Sequence, residues 1–158
     1  KCIVVTGDSI KNGHCVSHAW NIVDIGGKPY QLDVTWDIGT VKARKIIYDY
    51  FNLTDSLMNL EHRSENILPK CNKSSANYFV KAKCDFHTRY GLSRHIQKQI
   101  EQGKKEIFFR INGMLKKGNI IDMVDAILHQ NYQSTETTRV GFSYNSNEKI
   151  GVYYIRIN

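Results

Sequence analysis

No apolar run in this chain of 158 residues is longer than a few positions. A helix that crosses a bilayer needs about 20, so the sequence encodes no membrane-spanning helix. It also lacks a long basic run and any interleaving of basic with aromatic residues. The formal net charge of +7 is therefore spread thinly. A diffuse positive field of that kind serves solubility and marks no specific nucleic-acid surface. There is no glycine-rich phosphate loop, no Walker pattern and no paired-carboxylate spacing, which removes the common nucleotide-binding and glycosidase-type readings. Finally, none of the four cysteines sits in the setting that makes a thiol reactive, at a helix start or beside a base. What remains is an ordinary hydrophobic content of 41% in a chain long enough for one real core and a small appended unit.

The most informative stretch that is present runs from His18 to Asp37, HAWNIVDIGGKPYQLDVTWD. Gly26-Gly27 is a two-residue hairpin signal, because glycine accepts the positive φ angles of the tightest turns. This turn sets Ile25 opposite Lys28 and Trp20 opposite Asp33. Beyond the turn the residues alternate. Tyr30, Leu32, Val34 and Trp36 read as a core face, and Gln31, Asp33, Thr35 and Asp37 as a polar one. His18 then falls diagonal to Asp33 on the same face, at roughly 7–8 Å between backbones, within reach of an imidazole. A one-residue slip would separate them. A carboxylate in that position fixes the ring tautomer and leaves the other nitrogen free to take a proton from a nucleophile. A solvated histidine and aspartate on a polar face is the plainer alternative.

The HAWN and LDVTWD segments around the glycine turn resemble the transglutaminase-like superfamily. Tyr48 to Asp55 (YDYFNLTD) and the segment from His62 to Leu68-Pro69 resemble its bacterial branch. The likeness covers roughly residues 2–90. It implies a papain-like cysteine-protease fold, an antiparallel sheet with short helices, in which His18 matches the base and Asp33 the orienting carboxylate. The family's nucleophile is a cysteine opening a helix upstream, in a Gly-x-Cys context. Cys2 to Gly7 matches the strand that follows that helix, so the chain reads as a fragment without its nucleophile and is expected to be inert as it stands. The resemblance implies acyl transfer or amide hydrolysis on a protein or peptide substrate, of cell-wall association, in an extracellular or cell-envelope setting. It implies no cofactor. Apolar surface left by the missing helix would suit a homodimer. The rival reading is a non-enzymatic binding or scaffold module on the same fold.

The cysteines leave several arrangements open. Cys2 and Cys15, and Cys71 and Cys84, have equal spacing and could form two disulfides, or all four could be free. His14, Cys15 and His18 bring three ligand types together. They lack the paired spacing of structural metal sites, and a polar loop over 8–15 leading into a strand is the preferred reading, with no metal expected.

The overall expectation is an α+β chain in two parts, residues 1–91 as the core and 92–158 as a small α/β unit. Residues 2–6 are predicted as a strand ending at Gly7. A basic loop with Lys42, Arg44 and Lys45 follows the catalytic-type hairpin. Thr54 is predicted to cap a short helix with Asp55 in its first turn and Leu57 and Leu60 on one face, and Phe79-Val80 to form a short strand. In the second part, Ser93 caps a helix carrying Leu92, Ile96 and Ile100 that stops at Gly103. Residues 106–111 form a strand, and Asn119 caps a second helix with Ile120, Met123, Val124, Ile127 and Leu128 inward. Strands over 139–144 and 150–157 close the order helix-strand-helix-strand-strand.

Overall fold

The computed structural model describes residues 1–11, 13–39, 47–112, 117–132 and 140–158. The basic loop with Lys42, Arg44 and Lys45 lies outside the described residues. The chain is α+β and divides into two compact units, Lys1–Ala82 and Lys83–Asn158. The division falls earlier than residue 91 because Asp85–Phe86 is already a strand of the second unit's sheet.

The first unit is built on a four-stranded antiparallel sheet. Its strands are β1 (Cys2–Lys11), β2 (His14–Ile25), β3 (Lys28–Leu32) and β4 (His62–Arg63), in the order β3-β2-β1-β4. The Gly26-Gly27 turn holds Ile25 opposite Lys28, as its spacing demands, with both glycines at positive φ. The strand expected to stop at Gly7 instead runs on to Lys11, and the expected polar loop over 8–15 is mostly strand. Lys11 pairs with His14, and Gly13 takes a positive φ ahead of β2.

Gly7 interrupts no strand, but a side chain has no room there. A Cβ would collide with the carbonyl oxygen of Arg63 and lie 3.0 Å from the Trp20 indole. A mid-strand glycine of this kind lets another backbone approach. Here it admits β4, which pairs Asp8 with Arg63 and Ser9 with His62. Gly7→Ala is expected to destabilise the first unit by about 1–3 kcal/mol, the usual cost of forced overpacking, read from urea unfolding.

The alternation from Tyr30 to Asp37 is a strand only as far as Leu32. Residues Val34–Gly39 form a short helix, α1. Asp33 turns the chain because its Oδ1 accepts the Trp36 amide at 3.0 Å, an N-cap bond that outweighs the strand preference of the Val-Thr-Trp run. The expected polar face is also not solvated: Gln31, Asp33 and Asp37 are all buried. Gln31 is satisfied by Trp20 Nε1 at 2.8 Å and by Asp55 Oδ1 at 2.9 Å, and its backbone bridges to Leu53.

Helix α2 (Asp55–Met58) starts after Thr54, but the Thr54 hydroxyl pairs with the Ser56 hydroxyl and caps no helix amide; Met58 is buried and Leu60 exposed. The expected strand at Phe79-Val80 is a helix, α3 (Tyr78–Lys81). The side chain of Asn77 accepts the Phe79 amide and starts it. The core of this unit is Val5, Trp20, Ile22, Tyr30, Tyr50, Leu53, Met58 and Phe79.

The second unit has strand β5 (Asp85–Phe86), helix α4 (Arg89–Glu101), strand β6 (Glu106–Ile111), helix α5 (Lys117–Asn131), and strands β7 (Phe142–Asn147) and β8 (Val152–Ile157). The sheet order is β5-β6-β8-β7, with β5 parallel to β6 and the other pairs antiparallel. Thr88, not Ser93, caps α4, and α5 begins before Asn119. The inward residues of α4 are those predicted, and α5 buries Ile120, Met123, Val124 and Leu128, with Ile127 half-buried. Each such side chain contributes about 1.5–3 kcal/mol. The last hairpin is shifted along the chain, because the turn residue at positive φ is Gly151 and not a residue of 145–148. Among the described residues, no helix is long and apolar enough to cross a membrane.

Candidate functional site

Three elements of the first unit converge on one carboxylate. His18 is on β2, opposite Gly7, on the face shared with the buried Trp20 and Ile22. Asp33 sits at the junction of β3 and α1. Its amide donates to the Tyr50 carbonyl at 3.1 Å, which anchors the junction. His62 opens β4 and is carried in by the pairing with β1. Oδ2 of Asp33 lies 2.6 Å from Nε2 of His18 and 2.8 Å from Nε2 of His62, while Oδ1 takes the Trp36 amide. The side chains of Asp33 and His62 are fully buried, and that of His18 is 14% exposed.

Burial of Asp33 pushes its pKa up. Hydrogen bonds from His62, His18 and the Trp36 amide, together with the His18 charge, more than offset this and hold the group below the ordinary carboxylate range. Asp33 is thus a carboxylate, and both Nε2 atoms that face it carry protons. His18 is left with Nδ1 as its free ring nitrogen.

The surroundings are aromatic. The His62 ring lies 4.6 Å from Trp36, 5.0 Å from Trp20 and 5.6 Å from Tyr50, centroid to centroid. His18 stacks on Trp20 at 6.3 Å. Behind this layer is a buried acid group. Oδ1 of Asp37 accepts the Tyr50 amide at 2.8 Å, and the Tyr50 hydroxyl donates to Glu61. Burial first, then the nearby charges of Asp49 and Asp33, pushes the Asp37 carboxyl up to about 8.

Among the described residues, His18, Asp33 and His62 also form a group of donors close enough to share a metal ion, all within 4.8 Å. Their separations argue for protons instead. Ligands at about 2.1 Å from a common ion keep roughly 3 Å from one another, and both Nε2–Oδ2 distances are shorter. His14 and Cys15, weighed as ligands beside His18, do not join this group.

Among the described residues, no cysteine joins the group formed by His18, Asp33 and His62. All four cysteines are free, so the suggested pairs Cys2–Cys15 and Cys71–Cys84 are not disulfides. Cys15 is three residues before His18 on the same strand and so projects to the opposite face. Cys71 and Cys84 are buried. Desolvation, aided by Asp55, pushes the Cys71 thiol up to about 12; desolvation, aided by Asp85, pushes Cys84 up to about 11. Thiolates react and thiols do not. Iodoacetamide at pH 8 is therefore expected to label the exposed Cys2 and Cys15 first, and Cys71 and Cys84 only on unfolding, as read by peptide mass spectrometry. Rapid labelling of either buried thiol would contradict this.

The sequence pattern implies no partner for His62. The available signal was indirect: Gly7, directly across from His18, marks a backbone approach, and β4 is what approaches. In comparison with known proteins, no family model matches this chain and no curated protein matches it in sequence.

Proposed function

We propose that residues 1–82 carry the histidine–aspartate half of a transglutaminase-like, papain-fold acyl-transfer centre. The observation behind this reading is the 2.6 Å bond from Nε2 of His18 to the sealed carboxylate of Asp33. The base is partly open and the group that orients it is not, which is the division of labour a triad needs. The antiparallel sheet, with the histidine on one strand and the aspartate at the end of the next, is compatible with a papain-like core.

In this reading a cysteine outside these 158 residues supplies the sulfur. Nδ1 of His18 takes the thiol proton, and the thiolate attacks a glutamine or peptide carbonyl. His18 returns the proton to the departing ammonia or amine, leaving a thioester. Water or an amine then attacks the thioester, gives its proton to His18, and the thiol is regenerated. Asp33 holds the ring throughout and steadies its charged form. No metal or cofactor takes part in these steps.

The four cysteines of the chain favour one corollary: the 158 residues alone form product from no glutamine peptide. The test is to read the coding sequence upstream of Lys1 and to assay the longer protein with a glutamine peptide and hydroxylamine. A Gly-x-Cys helix start and hydroxamate formation are expected, with a loss of about 10²–10⁴-fold in His18→Ala. Absence of that cysteine, or no hydroxamate from the longer protein, would favour a binding module; activity indifferent to His18→Ala would contradict the role given to His18.

A further inference from the structure

We infer that His62 is a positioning residue of this site: its buried Nε2–H and that of His18 fill the same Asp33 oxygen, so the two imidazoles fix one carboxylate between them. For its catalytic meaning this rests on the acyl-transfer reading, but the geometry stands independently.

A carboxylate oxygen offers two lone pairs. On Oδ2 both are taken, by His18 at 2.6 Å and His62 at 2.8 Å, and on Oδ1 the Trp36 amide holds a third bond. Without His62, the carboxylate would keep one bond on each oxygen, from His18 and from the Trp36 amide, and could still rock about its terminal torsion. With His62 in place the plane of the carboxylate is set, and with it the tilt of the His18 ring and the direction in which Nδ1 of His18 faces.

Packing alone does not account for an imidazole at position 62. Trp20, Trp36 and Tyr50 surround the ring. Its Nδ1 is buried without a hydrogen-bond partner. Leaving a polar atom so placed is unfavourable, and a phenylalanine or leucine would fill the same aromatic enclosure with no orphan atom. What only the imidazole supplies is the proton on Nε2 directed at Asp33. The missing partner at Nδ1 also leaves the tautomer no competing choice: the Nε2–H form is the one with an acceptor.

The test is nuclear magnetic resonance on the chain with labelled histidine rings and aspartate carboxyls, in wild type, His62→Gln and His62→Phe. Glutamine keeps an amide N–H near the Nε2 position and phenylalanine does not. In wild type, His18 and His62 are each expected to show a proton on Nε2, that of His62 slow to exchange. In His62→Phe the Asp33 titration midpoint is expected to rise by about one pH unit, having lost a donor. His62→Gln is expected to restore most of the wild-type value. A purely structural role would move Gln and Phe alike, or neither, and would overturn the proposal. Should His62→Phe fail to fold, the wild-type spectrum decides: a His62 proton found on Nδ1 contradicts the inference. Zinc at one equivalent is expected to leave both rings unshifted; stoichiometric binding with shifts at His18 and His62 would make the group a metal site and overturn it. None of these spectra needs a thiol or substrate. The acyl-transfer reading can thus fail in its own assay while the role of His62 stands, and the reverse.

Discussion

Asp33→Ala is expected to lower the stability of the first unit by about 3–5 kcal/mol, the range found when one member of a buried charged pair is removed. The substitution leaves two imidazole N–H groups without their acceptor, one fully buried, and strips the cap from α1. Asp33→Asn should cost less. Its carbonyl oxygen can still accept the Trp36 amide, but its NH₂ meets at least one Nε2–H donor head-on. Urea unfolding followed by tryptophan fluorescence is a clean probe, because the chain's two tryptophans, Trp20 and Trp36, both lie in this unit. A loss below about 1 kcal/mol in Asp33→Ala would put the pair in the class of exposed ion pairs and contradict the sealed geometry.

The second large effect is a pH dependence set by Asp37. Its carboxyl is raised from 3.8 to about 8 in the folded chain, so across that window the folded state holds a proton that the unfolded state has released. Stability must then fall as pH rises through the window, at up to about 1.4 kcal/mol per pH unit, and level off above it. Asp33 acts with the opposite sign: its folded value is depressed, so its contribution is present above 3.8 and is lost as pH falls through the folded value. Asp37→Asn keeps an oxygen for the Tyr50 amide and removes the titration. The fall that Asp37 causes on the way to pH 8 is expected to be missing from this variant, which should be more stable than wild type at pH 8. Parallel wild-type and Asp37→Asn curves over that range would show that Asp37 ionises normally.

How much of this was legible follows the range of each interaction. The Gly26-Gly27 turn is local, and its register, Ile25 against Lys28, follows from the sequence; so does the nearness of His18 to Asp33. The periodic helices of the second unit were legible through Leu92, Ile96 and Ile100, though their caps were not, since Thr88 and Ser93 both satisfy the same local pattern. Residues 34–39 misled because Val34, Thr35 and Trp36 favour strands and alternate correctly. Only the cap bond of Asp33 turns them into helix. The burial of Gln31 and Asp37 was hidden for a related reason: polar residues read as solvated until Trp20, Asp55 and Tyr50 are seen to satisfy them. His62 is separated from Asp33 by 29 positions. No spacing rule joins them, because the link passes through the pairing of β1 with β4 and the space Gly7 leaves for it.

The reading of the site turns on whether His18 and Asp33 activate a thiol. The most direct measurement is the rate of iodoacetamide alkylation against pH for the cysteine that the proposed function requires outside these 158 residues, in wild type, His18→Ala and Asp33→Asn. A thiol that stays reactive well below its ordinary pKa, and loses that acid-side reactivity in both variants, is the predicted result. A cysteine whose profile follows a free thiol in all three proteins would contradict the account and leave the His18–Asp33–His62 arrangement as a structural feature of a binding module.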